Sequence, residues 1–459
     1  MSDKASSFIA KSTVKAADLE HRRKINFNIG KYNAVVPQGK EQFPDLELAR
    51  KKAKNIKWKA LETLDKQLEA FEAHITKRGA KVIWAEDATQ ALAEVKKICL
   101  EKNCRTIVKS KSMVTEEIKL NDFLHEQGIE SVETDLGEYI QQLDNEPPYH
   151  IVTPAMHKSK EDVAKLFSEK LHTPPNLTPE QLTLVAREKL REKYAQAEIG
   201  ITGANFLIAD IGAIAVTENE GNARLSCAFP KTHIAICGIE KIIPSLSDLA
   251  LFWPLLATYG TGQRITVYNS IITGPKQAGE KDGPDEMYVI LLDNGRTNIL
   301  ANAKGRESLY CIRCGACLNA CPVYKNIGGH TYGTTYSGPI GAVITPHLRE
   351  MHDWKHLSYA SSLCGNCTEV CAVKINLHEL LLENRHEAVQ QGNRGFAENI
   401  GWKLWRHGML NRKWMNMGNK RMKEWVVNSL LKGWTAHRDK LEFPSKSFNQ
   451  QWRERKGAS

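Results

Sequence analysis

The sequence predicts an α/β domain on a mostly parallel sheet, then a mainly α-helical cysteine-rich domain, then a basic helical tail. Three observations carry this. Short β-rich runs alternate with amphipathic helical stretches over residues 70–300, the pattern of a parallel sheet covered by helices. Seven of the eleven cysteines fall in two tight groups between residues 311 and 371. Residues 401–459 hold fourteen Lys and Arg against four Asp and Glu, while the remaining 400 residues hold forty-nine of each.

Residues 1–45 are polar and without clear periodicity; with 46–69 they make an N-terminal extension. Leu61, Leu64, Leu68 and Phe71 recur at helical spacing, so 46–80 reads as helix. Alternation then starts: a strand at Lys81–Trp84, a helix at Ala88–Lys102, a strand at Thr106–Val108. Lys109-Ser-Lys-Ser-Met113 opens the next helix. Gly128–Glu133 repeats the pattern, and after Pro147 and Pro148 a strand is expected at His150–Val152. Residues 160–196 form a second helical region. Asn205–Thr217, Thr232–Cys237 and Arg264–Val267 are β-rich, with a hairpin turn at Asp210-Ile-Gly212. The cysteine-rich domain spans 301–390 and the tail 391–459.

Apolar residues make up 42% and charged residues 25%, an ordinary globular composition. The N-terminus lacks the apolar region of a secretory signal, and Leu249–Ala257, interrupted by Pro254, is too short to span a bilayer. The chain is therefore expected in the cytoplasm, where thiols stay reduced and clustered cysteines signal metal. The first 400 residues give no reason to prefer a polyanion, and no recognition motif accompanies the basic tail, so no nucleic-acid partner is expected. Gly260-Thr-Gly262 lacks the third glycine of a dinucleotide fingerprint, and no Walker or flavin signature is present.

Cys311-Ile-Arg-Cys314-Gly-Ala-Cys317-Leu-Asn-Ala-Cys321-Pro322 is the C-x2-C-x2-C-x3-C-P run of two-cluster ferredoxins. Three thiolates two residues apart wrap one cubane; the fourth, on a helical turn, points to a second. The second group is Cys364-Gly-Asn-Cys367-Thr-Glu-Val-Cys371. The crossed rule assigns Cys311, Cys314, Cys317 and Cys371 to cluster 1 and Cys321, Cys364 and Cys367 to cluster 2. Two [4Fe–4S] clusters are thus expected in a ferredoxin-type domain. Ser361 stands where cluster 2 would find a fourth cysteine. That iron takes Ser361, a water or a partner's ligand, or it is lost to leave [3Fe–4S]. Structural zinc would bring two C-x2-C pairs, not a triple followed by x3-C-P. Cys99, Cys104, Cys227 and Cys237 are scattered and read as inert buried residues. The segment Gly328–Gly341 reads as a glycine-rich connection packing aromatics; the alternative is a source of N–H donors to cluster sulfur.

Two segments of the α/β domain could line a pocket. Ser110-Lys111-Ser112 follows a strand and opens a helix, which suits a carboxylate or phosphate; the plainer reading is a helix cap with a solvated lysine. Glu198, Thr202, Asp210, Thr217, Glu218 and Asn222 fall at strand ends and turns. Ligand crevices form there in open α/β sheets, and polar residues are common there regardless. His157 and His233 read as surface or core residues. The tail holds Trp402, Trp405, Trp414, Trp425, Trp434 and Trp452. Trp402, Trp405 and Met409 share a helical face beside Lys403 and Arg406. That face packs on the cysteine domain, docks on an acidic partner, or makes peripheral contact with the inner face of an anionic membrane. From Phe443 on, the chain reads as flexible.

On Cys311–Tyr324, Gly338-Pro-Ile-Gly-Ala-Val343, Ser361–Cys367, Glu133–Tyr139 and Ala197–Ala204, the chain resembles the lactate utilization protein B family, iron–sulfur proteins of bacterial L-lactate operons. The resemblance implies seven cysteine ligands split four and three. Ala372 departs from the family's usual Cys-Pro. It further implies that 70–300 form a lactate-utilization domain, similar in fold to sugar-phosphate isomerases and CoA-transferases. The implied partners are a companion cysteine-rich iron–sulfur protein and a smaller protein with the same α/β domain, with lactate or pyruvate as the small molecule. The implied role is the electron-transfer subunit of an L-lactate dehydrogenase complex that forms pyruvate. The alternatives are a catalytic subunit using an open iron on cluster 2 and a redox module that senses a small acid. No catalytic residue is assigned.

Overall fold

Runs such as Ile234–Cys237 and Val289–Leu292 carry apolar residues at every position, which suits strands buried on both faces. The computed structural model describes residues 2–392, 395–435 and 438–457. Its strands are β1 (Lys81–Ala85), β2 (Thr106–Lys109), β3 (Glu130–Glu133), β4 (Ile199–Thr202), β5 (Phe206–Ile208), β6 (Ala213–Glu218), β7 (Thr232–Gly238), β8 (Ile242–Ile243), β9 (Tyr268–Ile272) and β10 (Glu286–Leu292). Six make one sheet in the order β1-β10-β7-β4-β2-β3, parallel throughout. The α/β domain with a parallel sheet, followed by a helical cysteine region and C-terminal helices, is the architecture the sequence predicts.

Alternation along β10 divides the core. Met287, Val289 and Leu291 face a core that continues into the cysteine region, whereas Tyr288, Ile290 and Leu292 face the helices Ala88–Glu101 and Leu120–Glu126. Each of these buried aliphatic side chains contributes about 1.5–3 kcal/mol.

A second, four-stranded sheet, β8-β5-β6-β9, was not anticipated. Its β5–β6 hairpin turns through Asp210–Gly212, where Gly212 has a φ of 58° and an added Cβ would meet the Ile75 nitrogen at 2.3 Å. The strand expected at Arg264–Val267 lies later, at Tyr268–Ile272. No strand forms at His150–Val152. The His150 ring instead accepts from the backbone N–H of Val152 and Thr153 at 3.1 and 3.2 Å and folds the segment into a loop. The helix after Ser112 is only Met113–Glu117.

The polar N-terminus is helical, Asp3–Ala17 and Leu19–Lys40, capped by Ser2 and Asp18. The expected 46–80 helix breaks at Thr63 into Leu46–Glu62 and Leu64–Thr76. Residues 160–196 likewise split, around Pro174 and Pro175, into Lys160–Leu171 and Pro179–Gln196. Helix 46–62 runs beside both parts of the molecule. The buried Arg50 donates to the carbonyl of Cys371 and the buried Lys57 to those of Glu240 and Ile242.

Residues 2–391 form one compact unit and the tail a second. The described tail contains helices Phe396–Leu410, Arg412–Asn416, Lys420–Leu430, Lys432–Thr435 and Phe448–Gly457. The last lies within the stretch from Phe443 on. Trp402 and Trp405 are exposed, their rings 5.5 Å apart; the Trp434 side chain lies outside the described residues. No described helix is long and apolar enough to cross a membrane.

Candidate metal centre and adjoining cavity

The first cysteine loop bends through two left-handed residues, Arg313 (φ 62°) and Gly315 (φ 78°), before the helix Ala316–Ala320. This coiling brings Cys311, Cys314 and Cys317 to one void, where Cys371 from the second segment joins them among Ile151, Ile340 and Leu377. Cys321 turns the other way. It caps the helix Pro322–Ile327, its sulfur accepting from the Tyr324 N–H at 3.4 Å. Its electrostatic neighbours are Cys364 and Cys367. The second loop repeats the bend at Leu363 (φ 54°) and Gly365 (φ 79°), and Asn366 ties it to the Ala320 carbonyl at 3.1 Å.

These residues fit iron–sulfur clusters on chemical grounds. Backbone N–H groups already point at thiol sulfur, Arg313 to Cys311 at 3.4 Å and Ile375 to Cys371 at 3.2 Å. Such bonds tune cluster potentials. Burial, reinforced by neighbouring thiols, pushes Cys314 up to about 12 and Cys371 to about 11. Thiols packed this way ionise together only around a cation, which iron supplies. Cys364 is exposed, Cys321 partly so and Cys367 buried, so the three-cysteine group reaches the surface at Cys364. The Ser361 hydroxyl accepts from the Leu363 N–H at 3.1 Å. In the glycine-rich connection Tyr332 and Tyr336 are buried, and the Ile340 N–H bonds toward Cys317; packing and donation to sulfur both occur there.

A cavity of about 470 Å³ borders this centre. Because the large sheet is all parallel, its strands end on one side and deliver their following loops together. Ser110–Ser112 come from the end of β2, Gly203–Asn205 from β4, and Lys241 from the turn after β7. Of the predicted pocket residues, Ser110, Lys111, Ser112, Thr217, Glu218 and Asn222 line it. Three do not. Glu198 precedes β4, at the opposite end of the sheet, and accepts from the N–H groups of Arg105 and Thr106. Thr202 is buried against His233, 2.8 Å from its Nε2. Asp210 holds the Leu246 N–H at 3.0 Å beside the small sheet.

Lys111 is partly exposed but engaged: it pairs with Asp135 at 3.0 Å and donates to the Val152 carbonyl. Ser112 makes no side-chain cap bond. Glu218 accepts from the N–H groups of Ala223 and Arg224, yet burial keeps its carboxyl above the usual range.

Sequence reasoning missed Lys241, Arg313 and the buried charges behind them. Lys109, fully buried, bridges Glu133 at 2.7 Å and Glu116 at 3.0 Å. Beside them the Glu138 carboxyl has no hydrogen-bond partner among the described residues, and burial followed by the Glu133 charge raises its pKa well above the carboxylate range. Position just past a parallel strand was the available signal for Lys241 and for Asp135, which follows β3. Glu146, His157 and His330 also bring ligand atoms within 4.8 Å of one another. Lys158 and the Pro147 carbonyl already engage Glu146 and His330 there.

Residues 68–292 match the LUD domain family and residues 307–375 the 4Fe-4S dicluster domain family; the second match supports iron–sulfur clusters here. The chain is 44% identical over 432 residues to lactate utilization protein B of Bacillus velezensis, covering 90% of each protein. It is 44% identical to lactate utilization protein B of Bacillus subtilis, over 90% of this chain and 88% of that one. For lactate utilization protein B of a Geobacillus species the identity is 46%, over 83% of this chain and 80% of the relative. A crystal structure of a DUF162 family protein from Deinococcus radiodurans aligns with 50% of this chain and 98% of its own, at 15% identity and a TM-score of 0.30.

Proposed function

The chain belongs to the lactate utilization protein B family, and from that premise we propose that it is the electron-transfer subunit of a multi-protein system oxidising L-lactate to pyruvate. One observation carries the reading. Cys371 joins Cys311, Cys314 and Cys317 around one void, while Cys321 turns toward Cys364 and Cys367. That crossing suits two [4Fe–4S] clusters in one small domain, the second with three thiolates and Ser361, a water or a partner's group on its fourth iron, or reduced to [3Fe–4S]. Such clusters supply one-electron transfer when bound. The protein's own residues hold the thiols, bury Cys317 and Cys371 of the inner group and aim N–H donors at sulfur.

The companion iron–sulfur protein and the smaller lactate-utilization-domain protein of the same system are the expected partners. Exposed Cys364 puts the three-thiolate group where a partner can reach it. The basic tail, with exposed Trp402 and Trp405, suits docking on an acidic partner or on the inner face of a membrane. The test is oxygen-free purification followed by redox titration with paramagnetic resonance. Two titrating centres are expected; a single centre would sink the proposal.

A catalytic reading has the same exposed, three-thiolate site in its favour, where an iron could bind the hydroxyl and carboxylate of lactate. It requires a lactate-induced spectral change in the purified chain alone.

A further inference from the structure

We propose that the cavity between the strand ends and the first cysteine loop binds an organic anion, its carboxylate or phosphate group seated between Lys241 and Arg313. This goes beyond electron transfer, because it gives the chain a ligand site of its own.

Asp135, Glu218 and Glu220 also line the cavity, with Asp135 paired to Lys111, but at the Lys241–Arg313 end the charges do not balance. Lys241 is 7% exposed and lines the cavity, and its ammonium makes no hydrogen bond or ion pair among the described residues. Arg313 lies over the Tyr336 ring at 4.4 Å, and its Nη1 is buried without a hydrogen-bond partner. The nearest acid, Glu240, has Oε1 3.7 Å from Arg313, outside hydrogen-bond range. Its other oxygen is taken by Arg296 at 2.6 Å, and Arg296 also engages Glu117. With Lys57, whose ammonium holds the Glu240 carbonyl, four basic side chains thus face two carboxylates in this buried region. Buried charge without a partner is costly, so a third anion belongs here.

Thiolates of the four-cysteine group account for part of this, since Cys311 lies close to both cations. Placement separates the two roles. Arg313 lines both the cysteine void and the cavity, whereas Lys241 lines the cavity alone. The ammonium of Lys241 is therefore offered to whatever enters the cavity.

The space suits a small organic molecule. Its roughly 470 Å³ falls within the range of about 300–1,000 Å³ usual for such sites. Met113, Ile140, Val216 and Leu256 supply apolar walls, and Asn222 a polar group. Lys111 is already paired with Asp135, which leaves Lys241 and Arg313 as the anion's seat. Cys314 forms part of the wall, so a redox-active anion would lie directly against the first cysteine loop.

The test is equilibrium dialysis of the cluster-loaded full chain, without oxygen, against L-lactate, pyruvate, inorganic phosphate and flavin mononucleotide. At least one should bind. Lys241→Met should weaken it about tenfold or more, the loss of one charged hydrogen bond, with iron and sulfide content unchanged. Lys241→Arg should retain most of the affinity. Preference for the acids marks a carboxylate ligand, and preference for phosphate or the flavin a phosphate ester. Should Lys241→Met fail to fold by circular dichroism, Lys241→Gln takes its place with the same expectation. The proposal is overturned if the wild-type chain binds none of the four, or if the charge-removing variant binds as well as wild type. Binding is read without electron flow, so it fails or stands separately from the electron-transfer reading.

Discussion

Arg296 grips Glu117 with two prongs, Nη1 to Oε1 at 3.0 Å and Nη2 to Oε2 at 2.8 Å. The guanidinium is 1% exposed. Glu117 also accepts from Tyr336 at 2.5 Å, so residues of the α/β domain and of the cysteine region share one buried carboxylate. Arg296→Met would strand Glu117 without its cation and deprive Glu240 of its hydrogen-bonded one. A loss of about 3–5 kcal/mol is expected, measured by denaturant unfolding. Adding Glu117→Gln should recover part of it. A single-variant loss below about 1 kcal/mol would show the pair to be dispensable.

Crossed ligation makes a prediction that spacing alone cannot. Cys371→Ala should remove the same paramagnetic centre as Cys314→Ala, with about half the iron and sulfide lost in each. Cys367→Ala should remove the other. If Cys371→Ala and Cys367→Ala abolish one and the same centre, the four-and-three division is wrong.

Gly200 lies in β4, in the middle of the large sheet, where an added Cβ would come 1.8 Å from the Ser226 carbonyl oxygen. That neighbour is backbone of the helix Asn222–Ala228 and cannot swing aside. Gly200→Ala should cost about 1–3 kcal/mol and shift the cavity-lining Asn222. A melting temperature equal to wild type would contradict the close packing.

Three histidines are buried in the neutral form. Desolvation lowers His21 to about 4, His150 to about 3 and His233 to about 4. In the unfolded chain they protonate near the ordinary value of about 6.5. Between those limits the unfolded state holds more protons. Stability is therefore full above about pH 6.5 and falls as pH drops, by up to about 1.4 kcal/mol per pH unit for each histidine. Glu138 works the other way, since its raised folded pKa makes its contribution fade as pH rises. The net slope should still be positive, read from urea midpoints at about pH 7.5 and about pH 5.5. His233→Gln should remove about one proton's worth of it; an unchanged slope would mean that His233 is charged in the fold.

What could be read from the residues was local. The thiolate spacing at 311–321 and 364–371 depends on a few dihedrals within one loop, and the run Thr232–Cys237 declares its own burial, whereas β10, Glu286–Leu292, was not anticipated. The strand predicted at His150–Val152 failed because the His150 ring captured the N–H groups that a ladder needs. Arg296 and Glu117 are 179 residues apart in sequence and share no periodicity, so nothing in the linear pattern marks them as partners. Of the six pocket residues that reach the cavity, Ser110, Lys111 and Ser112 do so because strand ends gather on one side of the parallel sheet, whereas Thr217, Glu218 and Asn222 come from the end of β6 in the second sheet and just after it. Glu198 misses it because it stands before its strand rather than after.

Arg50 holds the carbonyl of Cys371 from 321 residues earlier in the chain. During synthesis, helix 46–62 is complete long before the last thiol of the inner group exists. By then Lys57 of that helix can already hold the Glu240 and Ile242 carbonyls, but until residue 371 emerges Arg50 lacks its acceptor and the three thiols of the first loop lack their fourth companion. Final closure of the N-terminal helices and loading of the inner metal site thus converge on one late event. Iron scarcity at that moment would leave the Arg50–Cys371 contact and the inner thiols to settle without their metal.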